Sequence, residues 1–330
     1  MAPAIRFGIL GVARITPRAL TRPADYQRDV GIYAIAARDK RRAESFAQHE
    51  HIRIVADDYQ SVIDHPEVNA IYNPLVISLH KPWTLAALNA GKHVLCEKSL
   101  ALNADEAATM AAKAKATGLV LMDAFHYRYH PMFIRAKEIL DSGTIGELVH
   151  VEAAFHIPVN DPDNIRMQYE LGGGVTMDIG CYPISWIRHI TGEEPTVTKA
   201  SAVEGPANVD LILKADYVLP SGATAVSSGD MSKEARFRAE LIVTGTLGTL
   251  KVLNPLVPQT GHAIEITTTS GTTVEQRDRR PTYDYQMDAF IEAVVDGKPL
   301  PTDADDAVKQ MQVIDACYDA AGLPRRGLIL

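Results

Sequence analysis

The sequence predicts an α/β protein in two parts, a parallel sheet with helices on both faces and then a mainly antiparallel sheet with helices on one side. In the first third of the chain, short apolar runs alternate with helical patterns, which is typical of parallel βαβ units. The rhythm changes near Asp123. Beyond Leu148, longer strands follow one another across tight turns such as residues 220–222, as in antiparallel sheets. We therefore predict two domains, residues 1–123 and residues 124–330.

Strands and helices are predicted from the apolar runs and their spacing. The strands of the first part are Ile5–Leu10, Ile32–Ala37, Ile52–Val55, Ala70–Tyr72, Val94–Cys96 and Leu119–Met122. Helical patterns run through Ile15 and Leu20 and over Lys40–His49, Pro82–Ala90 and Asn103–Thr117. The strands of the second part are Leu148–His156, Val197–Val203, Asp210–Val218, Ala223–Ser228, Ala239–Gly245, Gly248–Val252 and Ala263–Thr269. The last two helices are Tyr283–Val295 and Ala304–Ala321.

The composition excludes several functional classes. The 330 residues carry 33 basic and 41 acidic side chains, a net charge of −8, so bulk electrostatics favours neither nucleic acid nor an anionic membrane. The three cysteines are odd in number and far apart, which indicates a reducing compartment and argues against a disulfide framework or a zinc site. No apolar run has the length of a bilayer span, and the N-terminus does not resemble a signal peptide. We expect a cytoplasmic enzyme with no metal, nucleic-acid or membrane partner.

A turn of small residues joins the first predicted strand to the first helix. Its candidate cofactor-binding residues are Gly8, Gly11, Ala13, Arg14 and Ile15. Small residues there let the backbone approach a pyrophosphate, whose charge is stabilised by free N–H groups at a helix N-terminus. The glycine pattern is degraded, because Ala13 replaces the second glycine and Thr16 the third, and such turns occur in many α/β proteins. Its place after the first strand favours a dinucleotide site.

The end of the second strand favours NADP over NAD. An acidic residue there would bind the ribose hydroxyls of NAD, but this sequence has Ala37 followed by Arg38. The small residue leaves room for a 2′-phosphate, and Arg38 and Arg42 are candidate donors to it. The alternative is a solvated basic helix start with Asp39 as its N-cap.

Three side chains are candidates for proton chemistry. Lys98 follows the strand Val94–Cys96 and so lies at the carboxyl end of a parallel strand, where ligands bind. A partly desolvated lysine near a cationic nicotinamide would have a lowered pKa, although a Glu-Lys pair at a strand end is more often a surface ion pair. Asp178 and Tyr182 are four residues apart on a helical pattern behind three glycines, 172–174, that suggest flexibility. For these two, the alternatives are an N-cap and a packed ring.

The segment between the two predicted domains is dense in aromatic, imidazole and guanidinium groups. It contains His126, Tyr127 and Arg128. A cleft between domains is a favoured position for a ligand. A hinge packed by aromatic side chains is the alternative explanation of the same residues.

Together these motifs resemble the Gfo/Idh/MocA family, which is named for glucose–fructose oxidoreductase, inositol dehydrogenase and a rhizopine-catabolism protein. The matching segments are residues 8–15, 78–80, 90–98, 143–146, 173–182 and 313–316. Residues 36–39 are most similar to the NADP-dependent glucose–fructose oxidoreductase and dimeric dihydrodiol dehydrogenase branches. The resemblance implies an N-terminal Rossmann domain and a C-terminal α/β domain with an open, mainly antiparallel sheet. It also implies hydride transfer between NADP(H) and a carbinol or carbonyl carbon of a sugar, polyol or related diol.

The resemblance implies that Lys98, Asp178 and Tyr182 hold the catalytic positions. Tyr182 would exchange the hydroxyl proton, Lys98 would lower its pKa and orient the substrate oxygen, and Asp178 would hold the substrate or tune the pair. Candidate cofactor-binding residues besides the turn are Ala37, Arg38, Arg42, Pro74, Leu75, His80, Glu97, Lys98 and Arg128. Candidate substrate-binding residues are His126, Tyr127, His156, Asp178, Tyr182 and Tyr283. An exposed sheet face in the second domain would favour a homodimer or homotetramer.

Two departures from the family pattern motivate alternatives. Ser99 stands where proline usually follows the lysine, and without proline a cis bond costs roughly 3 kcal/mol. Val76-Ile77 stands where Pro-Asn is usual. Both suggest, as an alternative, a dinucleotide-binding sensor or partner protein without turnover. A further alternative is a glycosidase that uses tightly held NAD, although Arg38 argues against it because that chemistry needs no 2′-phosphate site.

Overall fold

The computed structural model describes residues 3–327, which fold into two compact units. The first unit comprises the chain up to Phe125 together with Tyr283–Val308. The second comprises His126–Thr282 together with the chain from Lys309 onward. Residues 283–308 are thus part of the first unit, although they follow all the strands of the second in the sequence.

Contacts far apart in the sequence hold this returning segment in the first unit. The rings of Phe7 and Phe290 stack with centroids 5.4 Å apart, and the Gln27 side-chain amide donates to Asp288 at 2.6 Å. The backbone N–H of Asp123 donates to the Thr302 carbonyl at 3.0 Å. Nothing in the sequence order indicates this return. The second predicted domain therefore extends without interruption from residue 124 to the end of the sequence.

The first unit is built on a six-stranded parallel sheet. Its strands are β1 Ile5–Leu10, β2 Val30–Ala36, β3 Ile54–Val55, β4 Ala70–Asn73, β5 His93–Cys96 and β6 Leu121–Asp123. Between them lie α1 Arg22–Asp25 (after a π-helical turn, Pro17–Thr21), α2 Lys40–His49, α3 Tyr59–Ile63, α4 His80–Asn89 and α5 Ala104–Thr117. The spatial order is β3-β2-β1-β4-β5-β6, and every neighbouring pair is parallel. The strand order reverses between β1 and β4, where such sheets bind ligands, so the predicted Rossmann domain is confirmed.

The second unit is built on an open, eight-stranded sheet. Its strands are β7 Leu148–His156, β8 Thr196–Glu204, β9 Asp210–Val218, β10 Thr224–Asp230, β11 Arg238–Gly245, β12 Gly248–Leu253, β13 Ala263–Thr268 and β14 Gly271–Glu275. Helices α6 Pro131–Asp141 and α7 Cys181–Thr191 also belong to this unit. Of the two later helices, α8 Thr282–Asp296 belongs to the first unit except for Thr282, and α9 Ala304–Ala321 is divided between the units after Val308. The spatial order is β14-β13-β12-β11-β7-β10-β9-β8, and the β7–β10 pair alone is parallel within the described residues. This confirms the predicted mainly antiparallel sheet.

Burial alternates along these later strands, as expected for a sheet with one face covered. In β9 the side chains of Leu213, Ala215 and Tyr217 are buried, whereas their neighbours are partly or fully exposed. Helix α7 packs on β7 and β10. The sequence pattern of period two thus sets the face that supports α7, the helix that follows Asp178.

Two further features of the described residues are the lengths of the helices and the state of the cysteines. Within residues 3–327, the structure has no helix with the length and apolarity of a membrane span. The three cysteines are free and buried. Cys96 ends β5, Cys181 begins α7 and Cys317 lies in α9.

Candidate active site

The turn after β1 requires glycine at position 11. Gly11 has φ of +86°, and an added Cβ would lie 2.9 Å from Leu75 Cδ2. Its N–H donates to the Ala36 carbonyl at 2.7 Å, and Arg42 Nη2 donates to the Val12 carbonyl at 3.3 Å. The turn is therefore held between the end of β2 and the loop after β4. This brings together Gly11, Arg42 and Leu75 from three separate predicted cofactor-binding segments.

The rest of the turn leads into helical backbone. The Ala13 and Ile15 carbonyls accept from the N–H groups of Thr16 (3.1 Å) and Ala19 (2.9 Å), and Arg14 is exposed. Gly8 has a different explanation. It lies inside β1, and a Cβ there would collide with a methyl group of Val62 in α3. Gly8 is thus accounted for by close packing of α3 on the strand.

The segment after β2 combines a capped helix with exposed cations. Asp39 accepts from the N–H groups of Arg41 (3.0 Å) and Arg42 (3.3 Å), so it is the N-cap of α2. Ala37 is half-buried and Arg38 is exposed. The N-cap explains Asp39 but uses no guanidinium group, so it is compatible with Arg38 and Arg42 as donors to a phosphate.

His80 joins the loops that follow β4 and β5. Its Nδ1 is 3.0 Å from the Ser99 carbonyl oxygen, and its Nε2 is 2.8 Å from that of Leu75. The ring is buried, and burial lowers the pKa of His80. The loop begins at Pro74, which is also buried, and the Lys98–Ser99 peptide bond is cis. His80 therefore lies against two backbone segments that carry predicted cofactor-binding residues.

Lys98 and Glu97 are half-buried at the carboxyl end of β5, among acidic and phenolic groups. The Tyr72 hydroxyl donates to Glu97 at 2.8 Å. Burial raises the pKa of Asp123 well above its usual value, Asp306 and Glu97 raise it further, and the positive charge of Lys98 opposes them. Burial and the charge of Glu97 also raise the pKa of Tyr283. Lys98 is thus part of a partly desolvated charged cluster, unlike a surface ion pair.

Asp178 and Tyr182 lie on one continuous helical segment of the second unit. A π-helical turn, Thr176–Gly180, runs directly into α7. The Asp178 carboxylate pairs with the Arg166 guanidinium, and the Tyr182 hydroxyl lies 3.2 Å from His126 Nε2. The Asp178 side chain caps no helix in this turn. Each of the two predicted catalytic side chains therefore has its own cationic or imidazole partner.

Two of the three glycines in front of this segment, Gly173 and Gly174, are closely packed, which corrects the expectation of flexibility. A Cβ on Gly173 would lie 2.6 Å from the Arg166 carbonyl oxygen. Gly174 has φ of +121°, and a Cβ there would collide with Asp210 and Arg326. Bare backbone is required because the loop is pressed between the Arg166 segment and a buried ion pair.

That ion pair fixes the start of the helical segment. Arg326 and Asp210 are fully buried, and Arg326 Nη2 donates to Asp210 at 2.6 Å while its Nε donates to the Gly173 carbonyl at 2.6 Å. Asp210 also accepts from the N–H (2.9 Å) and hydroxyl (2.6 Å) of Thr176. The arginine lies over the Tyr318 ring, 4.3 Å from its centroid. These contacts determine where the turn bearing Asp178 begins.

Of the remaining predicted residues of the second unit, Tyr127 lies beside Tyr182, with their ring centroids 6.2 Å apart. The Tyr127 hydroxyl contacts Ser185 (2.7 Å) and His189 (2.9 Å). His156 ends β7 and contacts the Ser228 hydroxyl at 2.9 Å, and burial lowers its pKa. Arg128 lies over the Phe133 ring at 5.8 Å, and its buried Nε has no hydrogen-bond partner among the described residues.

Comparisons with known proteins match both units. The profile described as "Oxidoreductase family, NAD-binding Rossmann fold" matches residues 5–125, and that of the "GFO/IDH/MocA C-terminal domain" matches residues 133–251. The chain belongs to the Gfo/Idh/MocA family. It is 33% identical to a D-xylose 1-dehydrogenase (NADP(+)) of Haloferax volcanii over 96% of this chain and 97% of that protein. It is 32% identical to a dTDP-3,4-didehydro-2,6-dideoxy-alpha-D-glucose 3-reductase of Streptomyces antibioticus, over 95% and 96% of the two chains.

A solved structure extends the likeness to three dimensions. A 3-ketoreductase from Actinomadura kijaniata, crystallised with NADP and TDP-benzene, superposes with a TM-score of 0.90 at 27% identity. The match covers 96% of this chain and 98% of the ketoreductase. The predicted membership of the Gfo/Idh/MocA family is therefore confirmed over both units.

Several residues that shape the site of this Gfo/Idh/MocA protein were missed by sequence reasoning. The sequence gives only a weak indication that Arg166 belongs to the site, namely its place in a polar segment shortly before the three glycines. Asp210 and Arg326 are 116 residues apart, so no local pattern joins them. His126 was predicted as a substrate-binding residue, but its contact with Thr282, 156 residues away, was not predicted. Asp123 was noted only as the end of a domain, although a carboxylate at the end of a parallel strand has the same positional meaning as Lys98.

Proposed function

We propose that this chain is an NADP(H)-dependent oxidoreductase that transfers hydride between the nicotinamide and a carbinol or carbonyl carbon of a sugar, polyol or related diol. One observation carries the proposal. This chain belongs to an oxidoreductase family, and it has Lys98 at the carboxyl edge of its parallel sheet and both Asp178 and Tyr182 on one helical segment. The names of the relatives support the substrate class, because one is a D-xylose dehydrogenase and another reduces a dTDP-linked keto sugar.

The first unit offers residues that fit NADP. The turn at Gly11 provides backbone close to the strand-order reversal, and Arg38 and Arg42 provide charge for a 2′-phosphate. We propose that the predicted cofactor-binding residues of this unit hold NADP, with NAD as the less favoured alternative. When bound, NADP supplies the hydride chemistry.

The protein supplies alignment and proton transfer. In this proposal Tyr182 exchanges a proton with the substrate oxygen, and Lys98 provides a positive charge that favours its loss from the phenol. Asp178 accepts from a substrate hydroxyl, with its carboxylate held by Arg166. We assign NADP binding to the first unit and substrate binding to the second. The cytoplasmic location stays a prediction that rests on the cysteine pattern.

We also propose that the second sheet carries a homodimer or homotetramer. The face of the sheet opposite α7 bears exposed valines on three strands, Val203, Val218 and Val274, with exposed fractions of 54%, 38% and 60%. An association that buries this face would remove their apolar surface from water.

The test is a spectrophotometric screen of sugars, inositols and diols with NADP⁺, and of keto sugars with NADPH. Against the best substrate, Lys98→Met and Tyr182→Phe should each lower kcat by roughly 10²- to 10⁴-fold, because each removes a group that acts on the transferred proton. Lys115→Met and Tyr26→Phe are matched controls on exposed side chains and should retain kcat.

Three outcomes would contradict the proposal in different ways. Full turnover in both active-site variants would remove the assigned roles. Tight NADPH binding without turnover across the screen would favour the non-catalytic dinucleotide-binding protein. Retained, non-exchanging NAD in the purified protein would favour the redox glycosidase.

A further inference from the structure

A hydrogen-bonded series of three side chains begins at Tyr182 in the second unit. The Tyr182 hydroxyl is 3.2 Å from His126 Nε2, and His126 Nδ1 is 2.7 Å from Thr282 Oγ1. The Thr282 hydroxyl donates to the Leu256 carbonyl at 3.3 Å. Tyr182, His126 and Thr282 are 5%, 3% and 0% exposed, so solvent contributes little to this series. The proposed function uses Tyr182 but assigns nothing to the two groups behind it.

The chemistry of the end groups sets the direction of the series. A backbone carbonyl can only accept, so Thr282 donates its single proton to Leu256 and accepts from His126. His126 then carries its proton on Nδ1, which leaves a lone pair on Nε2 facing the phenol. When His126 is neutral, Tyr182 thus donates to Nε2, and the lone pair there can take the phenolic proton.

We propose that His126 is a positioning residue that takes the Tyr182 proton during turnover, and that Thr282 selects the tautomer that permits it. This inference rests on the proposed function. In oxidation, the carbinol C–H bond breaks and its electron pair leaves as hydride to NADP⁺. The carbinol proton passes to Tyr182 Oη while the phenolic proton passes to His126 Nε2. The products are a carbonyl, NADPH and an imidazolium, and reduction reverses each transfer.

The surroundings of His126 fit this role. An imidazolium would have a proton on each ring nitrogen, and the structure provides an oxygen acceptor for each, Tyr182 Oη and Thr282 Oγ1. Tyr182 need not become a buried phenolate, because its oxygen gains one proton as it loses another. The neighbouring phenol Tyr127 has its ring centroid 6.2 Å from that of Tyr182, and its hydroxyl contacts Ser185 and His189.

The kinetic test uses three substitutions in the full-length enzyme. His126→Gln keeps a group that can hydrogen-bond to the phenol but cannot take its proton. Thr282→Val keeps the side-chain shape without the hydroxyl, and Thr282→Ser restores the hydroxyl. We expect kcat to fall about 10- to 100-fold in the Gln and Val variants, with KM within about twofold, and to stay within about threefold in the Ser variant.

His150→Gln is the matched control. The His150 imidazole contacts the Thr224 hydroxyl at 2.7 Å, which is the same pairing, but it lies on the strands β7 and β10 away from Tyr182. This variant should retain the kcat and KM of the unaltered enzyme. Because His150 is only partly buried, His262→Gln serves as a second control at a buried histidine, whose Nδ1 lies 2.9 Å from the Pro258 carbonyl oxygen and whose Nε2 accepts from the Arg277 N–H at 2.8 Å, and it should retain kcat as well.

A second measurement needs no turnover. Nitrogen-15 NMR of histidine-labelled protein should show His126 as the Nδ1–H tautomer, identified by its loss in His126→Gln, and Thr282→Val should change that tautomer. An Nε2–H tautomer in the unaltered protein would overturn the proposal. An unchanged kcat in His126→Gln, measured where the unaltered enzyme is active, would also overturn the proposal. In that case the proton transfer from Tyr182 to His126 would be refuted, but the proposed function would not. If the unaltered enzyme turns over no sugar, polyol or diol, the proposed function fails and this proton transfer fails with it.

Discussion

Replacing Arg326 by leucine should destabilise the second unit by about 3 kcal/mol. Removing one partner of a buried ion pair costs about 3–5 kcal/mol, because the other charge stays buried. Asp210 would retain its donors, the N–H and hydroxyl of Thr176 and the Tyr318 hydroxyl at 3.2 Å, so we expect the lower end of that range. At about 2–4 °C per kcal/mol for a domain of 150–250 residues, the midpoint of thermal unfolding should fall by about 6–12 °C.

The same substitution should make stability depend on pH with a defined sign. Burial raises the pKa of the Asp210 carboxyl above its usual value, and Arg326 opposes that rise. Without the guanidinium the folded-state pKa rises further, while the unfolded-state pKa stays at about 3.9. A group with a raised folded-state pKa stabilises the fold at low pH and loses that contribution as pH rises through the folded-state pKa. The deficit of Arg326→Leu should therefore grow from pH 5 to pH 8.

Urea unfolding of the second unit can be followed by the fluorescence of Trp186, which is fully buried, in a Trp83→Phe background. Arg277→Leu is the matched control, because its side chain is 37% exposed and pairs with Glu275, which keeps Arg135 as a partner. It should cost about 1 kcal/mol or less. The double variant Asp210→Asn with Arg326→Leu should recover part of the loss. A deficit below about 1 kcal/mol at pH 8, or one that shrinks as pH rises, would refute the assigned role of the pair.

Two further predictions concern the cofactor and acid stability. Arg38→Ala should weaken NADP binding about 10- to 100-fold and leave NAD binding nearly unchanged, because a charge-assisted hydrogen bond contributes about 1.5–3 kcal/mol. Fluorescence titration measures both affinities, and Arg41→Ala is the control. Equal losses of affinity for both cofactors would contradict a 2′-phosphate site. Burial lowers the pKa of His130 to about 4, so the unfolded chain binds the proton first and stability present above about pH 6.5 is lost as pH falls. The free energy of unfolding should be about 2 kcal/mol smaller at pH 5 than at pH 7, and His130→Asn, which keeps an N-cap on α6, should flatten this dependence unless another group causes it.

Much of the fold could be predicted from the sequence because most strands have a recognisable pattern of apolar residues. The central strands of the first sheet are nearly continuous apolar runs, and the second sheet alternates with period two. The strand Gly271–Glu275 was missed because it is a polar, largely exposed edge strand with no apolar run. Helix Pro131–Asp141 was also missed, although Pro131 in its first turn is a recognised start.

The site was predictable only where chain position has a fixed structural meaning. Lys98 follows a parallel strand, and Asp178 and Tyr182 share a helix, so local patterns were sufficient to select them. The contacts of Asp178 with Arg166 and of Tyr182 with His126, itself a predicted substrate-binding residue, depend on how separate segments fold together. The three glycines had two opposite explanations, flexibility or tight packing, and only the neighbouring atoms of Asp210 and Arg326 distinguish them.

The reaction rates of the three buried thiols with an alkylating reagent can report on local opening of the protein. Burial raises the pKa of Cys96 well above its usual value and that of Cys317 to about 12, so little thiolate is available to an alkylating reagent in the closed protein. Labelling should therefore proceed through transient opening, at rates that mass spectrometry can follow for each cysteine separately. Cys96 belongs to one unit and Cys181 and Cys317 to the other. A small molecule that stabilises a single unit should slow labelling in that unit alone, so the labelling rates show which unit binds the ligand.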